Sequence, residues 1–226
     1  ANGWTPSPGH RMVRDSSTWP RLQRYVKDIV STFRNDPRVW VWDLYNEPTN
    51  GGLGNASVPL VENVFGWARE ARPSQPLTVG NWNRGEPFAE LNRFGAANSD
   101  IVTFHSYEDA TTVKQLIDQF QGLGRPIVCT EYLARTTDSH FRTHLPIFKQ
   151  AGVGCISWGL VAGKTQTQYP WYSPSGAPEP TVWYHDIFRP DGSPYDEAEV
   201  EFIRRMTAER AEDGSTPASS VAPDLR

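Results

Sequence analysis

The sequence predicts an α/β fold in which a parallel sheet carries its helices on the outside. Three observations lead there. First, five apolar runs rich in Val, Ile, Trp and Tyr stand out, at residues 39–45, 77–82, 101–107, 127–132 and 153–160. Short, near-continuous apolar runs read as strands buried on both faces, the habit of parallel sheets. Second, amphipathic helical stripes alternate with these runs, and a βαβα order implies a parallel sheet. Third, no G-x-G-x-x-G follows any of the runs, so the dinucleotide-binding version of the fold lacks its fingerprint. The other common solution is the (β/α)8, or TIM-type, barrel, which takes about 250 residues. This chain has 226 residues, five strands, and a first helix that should itself follow a strand. The expectation is the C-terminal five βα units of such a barrel, forming an open partial barrel with three units missing from the front.

The elements follow in order. Ser17-Thr18-Trp19-Pro20 supplies a capping residue and an early Pro. Leu22, Tyr25, Val26, Ile29, Val30 and Phe33 then mark one face of a helix. After the run at 39–45, Leu60, Val64, Trp67, Ala68 and Ala71 repeat the pattern. Val113, Leu116, Ile117 and Phe120 make a shorter stripe, and Phe141, Leu145 and Phe148 another, with Pro146 inside it and expected to bend it. Val200, Ile203 and Met206 close the series. Two segments fall outside this rhythm. Residues 161–191 form a long loop with Pro170, Pro174, Pro178 and Pro180 and the aromatics Tyr169, Trp171, Tyr172, Trp183 and Tyr184, and a loop that long is usually functional. Residues 208–226 are rich in Ser, Ala, Pro and charge and read as a disordered tail, which leaves residues 1–207 as the folded domain.

Composition excludes several classes. Lys and Arg number 22 against 26 Asp and Glu, a net charge of −4 with no basic run, so no nucleic-acid partner is expected. No stretch approaches the roughly 18 apolar residues of a membrane span. The two cysteines, Cys129 and Cys155, exclude a disulfide-dense scaffold and a Cys-only zinc site. They lie on adjacent strands among apolar neighbours and are expected to be reduced, buried thiols. His140 and His144 have i, i+4 spacing but lack the Glu of H-E-x-x-H, so neither metal nor cofactor is expected. The start, Ala1-Asn2-Gly3-Trp4, has no initiator Met and no signal-like segment. It is read as the result of leader removal or as the start of a fragment, and the missing βα units favour the fragment.

In such barrels, chemistry sits at the C-terminal ends of the strands. The first run delivers Asn46-Glu47-Pro48 there, the second Asn81-Trp82-Asn83, the third His105-Ser106-Tyr107, the fourth Glu131 and the fifth Trp158. Two carboxylates facing one pocket are the chemistry of glycoside hydrolysis. One protonates the leaving oxygen; the other attacks the anomeric carbon or activates water. Tryptophan suits the apolar C–H face of a sugar ring, and the Asn46 amide can donate to a sugar hydroxyl next to the reacting carbon. Strand parity places Thr103, His105 and Tyr107 on one face, and Cys129 with Glu131 on one face. Asn46 and Glu47 differ in parity, so both reach the site only if the strand twists or bulges at Pro48. Asp43 shares the parity of Glu47 and is expected to point into the barrel as a buried carboxylate in need of a partner. Trp40 and Trp42 are expected in the core.

These residues also carry a resemblance. Trp42-Asp43-Leu44-Tyr45-Asn46-Glu47-Pro48 resembles the acid/base strand of clan A glycoside hydrolases, most like family 5, the cellulase and mannanase family. Cys129-Thr130-Glu131-Tyr132 resembles the nucleophile strand, Phe104-His105-Ser106-Tyr107 the strand between, and Ile156-Ser157-Trp158 the last strand. The match runs over about residues 20–206. The resemblance implies a metal-independent, retaining O-glycosidase that cleaves β-linked polysaccharide or oligosaccharide by double displacement. Glu47 would be the acid/base and Glu131 the nucleophile, with Asn46, His105, Tyr107, Trp158 and Trp82 binding the sugar. Other clan A specificities (mannan, xylan, exo-β-glucosidase) and a non-catalytic carbohydrate-binding remnant are the alternatives. The resemblance favours an exported protein. Family 5 enzymes also draw an Arg and a His from early strands, which this chain lacks. Three further expectations follow: carboxyl groups about 5–5.5 Å apart, a raised pKa at Glu47, and self-association through open barrel edges.

Overall fold

The computed structural model describes residues 5–208. Five strands, β1 (Trp42–Asn46), β2 (Leu77–Gly80), β3 (Val102–His105), β4 (Ile127–Tyr132) and β5 (Gly154–Ser157), pair in parallel. One ladder joins β1 to β2 and another runs β3–β4–β5. Between β2 and β3 the ladder is replaced by a bridge from Asn81 to Phe104 and by two buried threonines on the inner face. Thr78 Oγ1 donates to the Ile101 carbonyl at 2.8 Å and Thr103 Oγ1 to the Val79 carbonyl at 3.1 Å. Side-chain hydroxyls thus occupy backbone groups that would otherwise be left unpaired. The strand order follows the chain, and among the described residues the sheet stays open.

Among the described residues seven α-helices accompany the strands: α1 (His10–Arg14), α2 (Trp19–Phe33), α3 (Val58–Glu70), α4 (Ala89–Asn98), α5 (Ala110–Gln121), α6 (Phe141–Ala151) and α7 (Glu197–Ala208). Local chemistry sets their ends. Asp109 caps α5 by accepting from the Thr112 amide at 2.9 Å, and α6 runs on through Pro146 to stop at Gly152, whose φ is 66°. Against the outer face of β3–β5, helices α5, α6 and α7 bury Phe104, Ile117, Cys129, Tyr132 and Phe148. Against β1 and β2, helices α2, α3 and α4 bury Val30, Val61, Phe65, Leu77, Val79 and Leu91. Each such apolar side chain contributes about 1.5–3 kcal/mol.

Some expectations are corrected. Of the α2 stripe only Val30 is buried; Tyr25, Ile29 and Phe33 are exposed, and Trp40 is 57% exposed rather than in the core. These residues flank β1, the edge strand, and nothing among the described residues covers that side. The other edge is partly covered by the long loop. Past the end of β5, the Ile187 and Phe188 amides donate to the Leu160 carbonyl and the Ala162 amide to the Phe188 carbonyl. Of the expected tail at 208–226, Ala208 closes α7 and the remainder lies outside the described residues.

Candidate active site

The strand ends that converge on the site are irregular. In β1 the register with β2 shifts between Asp43 and Asn46, and Glu47 follows with a φ of 45°. This bulge and the left-handed residue resolve the parity problem: Glu47 turns towards the site although Asn46 precedes it directly. In β4, Cys129 pairs with Phe104 but Glu131 with His105, so Thr130 is an extra residue. The expected shared face of Cys129 and Glu131 is therefore corrected. Cys129 packs in the outer core, while Glu131 meets His105 across the inner rim.

Three side chains form the centre. His105 is buried, and its Nδ1 lies 2.7 Å from Glu47 Oε1 and 3.2 Å from Glu131 Oε2. Tyr107 donates its hydroxyl to Glu131 Oε2 at 2.7 Å. Asn50 donates its amide to Glu47 Oε2. One oxygen of Glu47, one of Glu131 and a ring nitrogen of His105 all lie within 4.8 Å of one another. Among the described residues this is the group whose geometry would admit a cation, but hydrogen bonds within the trio already engage His105 Nδ1. Burial holds the Glu131 carboxyl above its ordinary value; His105 and the Tyr107 hydroxyl pull it down, and Glu47 and Asp43 push it up. The carboxyl shown to be raised is thus the one expected to act ionised. Burial, then the charge of Glu131, pushes the Tyr107 hydroxyl up, so it remains a donor.

Gly80 explains how His105 is seated. A Cβ there would lie 2.8 Å from Asp43 Oδ2 and 3.0 Å from His105 Nε2, so only glycine leaves room for both. Asp43 points to the inner face as expected and accepts from the Gly80 amide at 3.0 Å. It is exposed there rather than buried, because the sheet is open on that side.

The carboxylates open into a cleft of about 570 Å³ whose lining includes Asn46, Trp82, Tyr107 and Trp158. His105 does not line the cleft but stands behind the carboxylates. Sequence reasoning missed three contributors. Trp171, from the long loop, lines the cleft and sets its ring edge-on to Tyr107 at 4.8 Å; the density of aromatics in that loop was its signal. Asn50 had none. Residues 5–7, Gly9 and His10 also line the cleft, and the His10 ring stands so close over Gly51 that a Cβ there would meet it at 2.1 Å. His144 is structural, with Nε2 at 2.9 Å from the Glu108 carbonyl and Nδ1 at 2.8 Å from Thr143. Cys129 and Cys155 are free thiols.

The fold recurs in solved structures. An endo-beta-1,4-mannanase from Thermotoga petrophila superposes with a TM-score of 0.64 at 19% identity, over 93% of this chain and 55% of that one. An endo-beta-1,4-xylanase of glycoside hydrolase family 10 from Gloeophyllum trabeum gives 0.62 at 16% identity, over 91% and 74%. A beta-glucuronidase from Faecalibacterium prausnitzii gives 0.61 at 15% identity, over 83% and 34%. The chain thus spans about a third of the glucuronidase and about half of the mannanase. At these identities the likeness establishes the fold, that of the TIM-barrel glycosidases. No curated protein matches the sequence. A family model does: residues 3–163 match the cellulase domain of glycosyl hydrolase family 5, and with 161 of 226 residues inside the match the chain belongs to that family.

Proposed function

We propose that the chain is a retaining O-glycoside hydrolase of β-linked polysaccharide or oligosaccharide, with Glu47 as acid/base, Glu131 as nucleophile and residues 1–207 as its catalytic domain. One observation carries the reading: two strand-end carboxylates with oxygens no more than 4.8 Å apart, opening into a tryptophan-lined cleft. Retaining enzymes hold their carboxyl groups about 5–5.5 Å apart, whereas inverting enzymes need about 6.5–9.5 Å to admit a water. The roles follow from hydrogen bonding. The Tyr107 hydroxyl donates to Glu131 Oε2, which favours the ionised form and leaves Oε1 for attack on the anomeric carbon. Glu47 gives its proton to the leaving oxygen as the glycosyl–Glu131 ester forms. As carboxylate it then takes a proton from the water that hydrolyses the ester. Trp82, Trp158 and Trp171 offer faces for sugar rings, and Asn46 a donor for a hydroxyl.

The test is hydrolysis of aryl β-glycosides. Glu131→Ala is expected to abolish turnover on every substrate, and Glu47→Ala to spare glycosides whose leaving group needs no proton. Equal losses on activated and unactivated substrates in both variants would contradict the assignment. A second reading, carbohydrate binding without turnover, is favoured by the open inner face beside the site, where Asp43 is exposed. Sugar binding by a chain inactive on activated glycosides would support it.

A further inference from the structure

The strand that carries Glu131 leaves the sheet through Leu133, whose φ is 83°. A non-glycine residue in that region is strained and persists only where its surroundings over-determine it. Here both backbone groups of Leu133 are held. Its amide donates to Ser139 Oγ at 3.2 Å, and its carbonyl accepts from His185 Nδ1 at 2.5 Å. The ring of His185 is fully buried. It packs 5.6 Å from the Tyr107 ring, 5.2 Å from Trp171 and 4.5 Å from Tyr184, centre to centre. Tyr107 is the residue that donates to Glu131, and Trp171 lines the cleft. Neighbouring bonds fix the segment bearing His185. The Arg135 amide donates to the Tyr184 carbonyl at 3.0 Å, the Arg135 guanidinium to the Trp183 carbonyl at 3.2 Å, and Thr167 Oγ1 to Asp186. Gly159, with a φ of 82°, lets the chain pass where a Cβ would lie 2.8 Å from His185 Cβ.

We infer that His185 is a positioning residue for the nucleophile: it fixes the turn that aims Glu131 and backs the tyrosine that holds the carboxylate. The inference rests on the glycosidase reading above. A carbonyl can only accept, so Nδ1 must carry the hydrogen. Burial pushes His185 down to about 4, which keeps the ring neutral at ordinary pH, and Nε2 has no hydrogen-bond partner among the described residues. The ring is therefore locked in one tautomer. Losing the Nδ1 donor frees the Leu133 carbonyl and lets the turn relax, which moves Glu131, whereas the ring's contact with Trp171 is lost in either substitution below and cancels between them.

Two substitutions in the full chain separate this from plain packing. The amide nitrogen of His185→Asn falls near the place of Nδ1, and that of His185→Gln near the place of Nε2. The expected result on an aryl β-glycoside is a kcat within about 3-fold of the parent for His185→Asn. For His185→Gln a loss of roughly 10- to 100-fold is expected, the scale of a displacement of about 1 Å, with KM little changed. Equal kcat in the two variants, or a change in KM alone, would overturn the inference. Nitrogen NMR of the parent needs no variant to fold. It should show His185 protonated on Nδ1 and bare on Nε2 across pH 5–8, and an Nε2–H ring would refute the proposal. Failure of the underlying reading looks different: Glu131→Ala would retain turnover while the His185 tautomer stayed as expected.

Discussion

Replacing Tyr107 by Phe removes one hydroxyl and keeps the ring. That hydroxyl donates to Glu131 Oε2 at 2.7 Å, and the residue is buried. A hydrogen bond to a charged group contributes about 1.5–3 kcal/mol. At 1.36 kcal/mol per pKa unit, its loss raises the Glu131 carboxyl by about 1–2 units above an already elevated value. The free-enzyme ionisation that limits kcat/KM on the acid side is then expected to move up by the same amount, read from the pH profile on an aryl β-glycoside. Stability moves with it. The folded value of Glu131 lies above its ordinary 4.5, so its ionisation opposes folding, and stability falls as pH rises through the folded value. The Phe variant raises that value further. It should be less stable than the parent by up to about 1.5–3 kcal/mol above the new value, and the gap should close largely below pH ~4, where the carboxyl is protonated folded or unfolded. An acid limb that stays in place, or a stability gap that persists unchanged at low pH, would refute the argument that this hydroxyl supports an ionised Glu131.

Three further outcomes are expected. Trp158→Ala should weaken sugar binding with the melting temperature little changed, since this residue is only partly buried against the small cluster of Tyr107, Ala134 and Tyr184; isothermal titration and a melting curve check both halves. Gly80→Ala should cost about 1–3 kcal/mol by overpacking and lower kcat, because its Cβ would displace His105 or Asp43; a variant with unchanged melting temperature and kcat would mean both can shift freely. The chain should self-associate through the side bearing Tyr25 and Trp40 and the inner face near Ile156 and Leu160, all exposed, which sedimentation against concentration would reveal as a rising mass.

Much of the architecture was legible because strands buried on both faces leave continuous apolar runs that stand out without an alignment. The exception among the longer helices is α4, which buries only Leu91 and Gly95, half-buries Phe94 and otherwise shows Ala, Asn, Arg and Glu, too weak a stripe for periodicity to detect. Gly95 is there for closeness instead: a Cβ would lie 2.4 Å from Asn81 Nδ2. Trp40 was misread because an apolar run records what a side chain prefers, and cannot say whether a neighbour covers it. The rim residues Glu47, Tyr107, Glu131 and Trp158 could be located because strand ends are predictable. Asn50, Trp171 and His185 sit on irregular segments, whose course is set by tertiary contacts such as the bonds from His185 to the Leu133 carbonyl and from Asn50 to Glu47.

Strand alternation failed at the site itself, and the failure has one physical cause. Alternation puts Cys129 with Glu131 and separates Asn46 from Glu47. The structure reverses the first and circumvents the second, because the register slips at the C-terminal end of every strand pairing that reaches the centre. A regular strand sends every second side chain to the helices, where a carboxylate would lie in an apolar layer and need a partner. An extra residue at Thr130 moves Glu131 to the inner rim while Cys129 stays in the outer core with Phe104. The left-handed Glu47 does the same for the other carboxylate. The cost is local strain, at Glu47 and again at Leu133, and both positions are held by side-chain hydrogen bonds: His105 and Asn50 on Glu47, His185 and Ser139 on Leu133. On the proposed reading, the bonds that hold the Leu133 turn also aim Glu131, and those on the Glu47 carboxylate fix its place beside His105. A substitution that relaxes either turn therefore changes chemistry before it changes the fold.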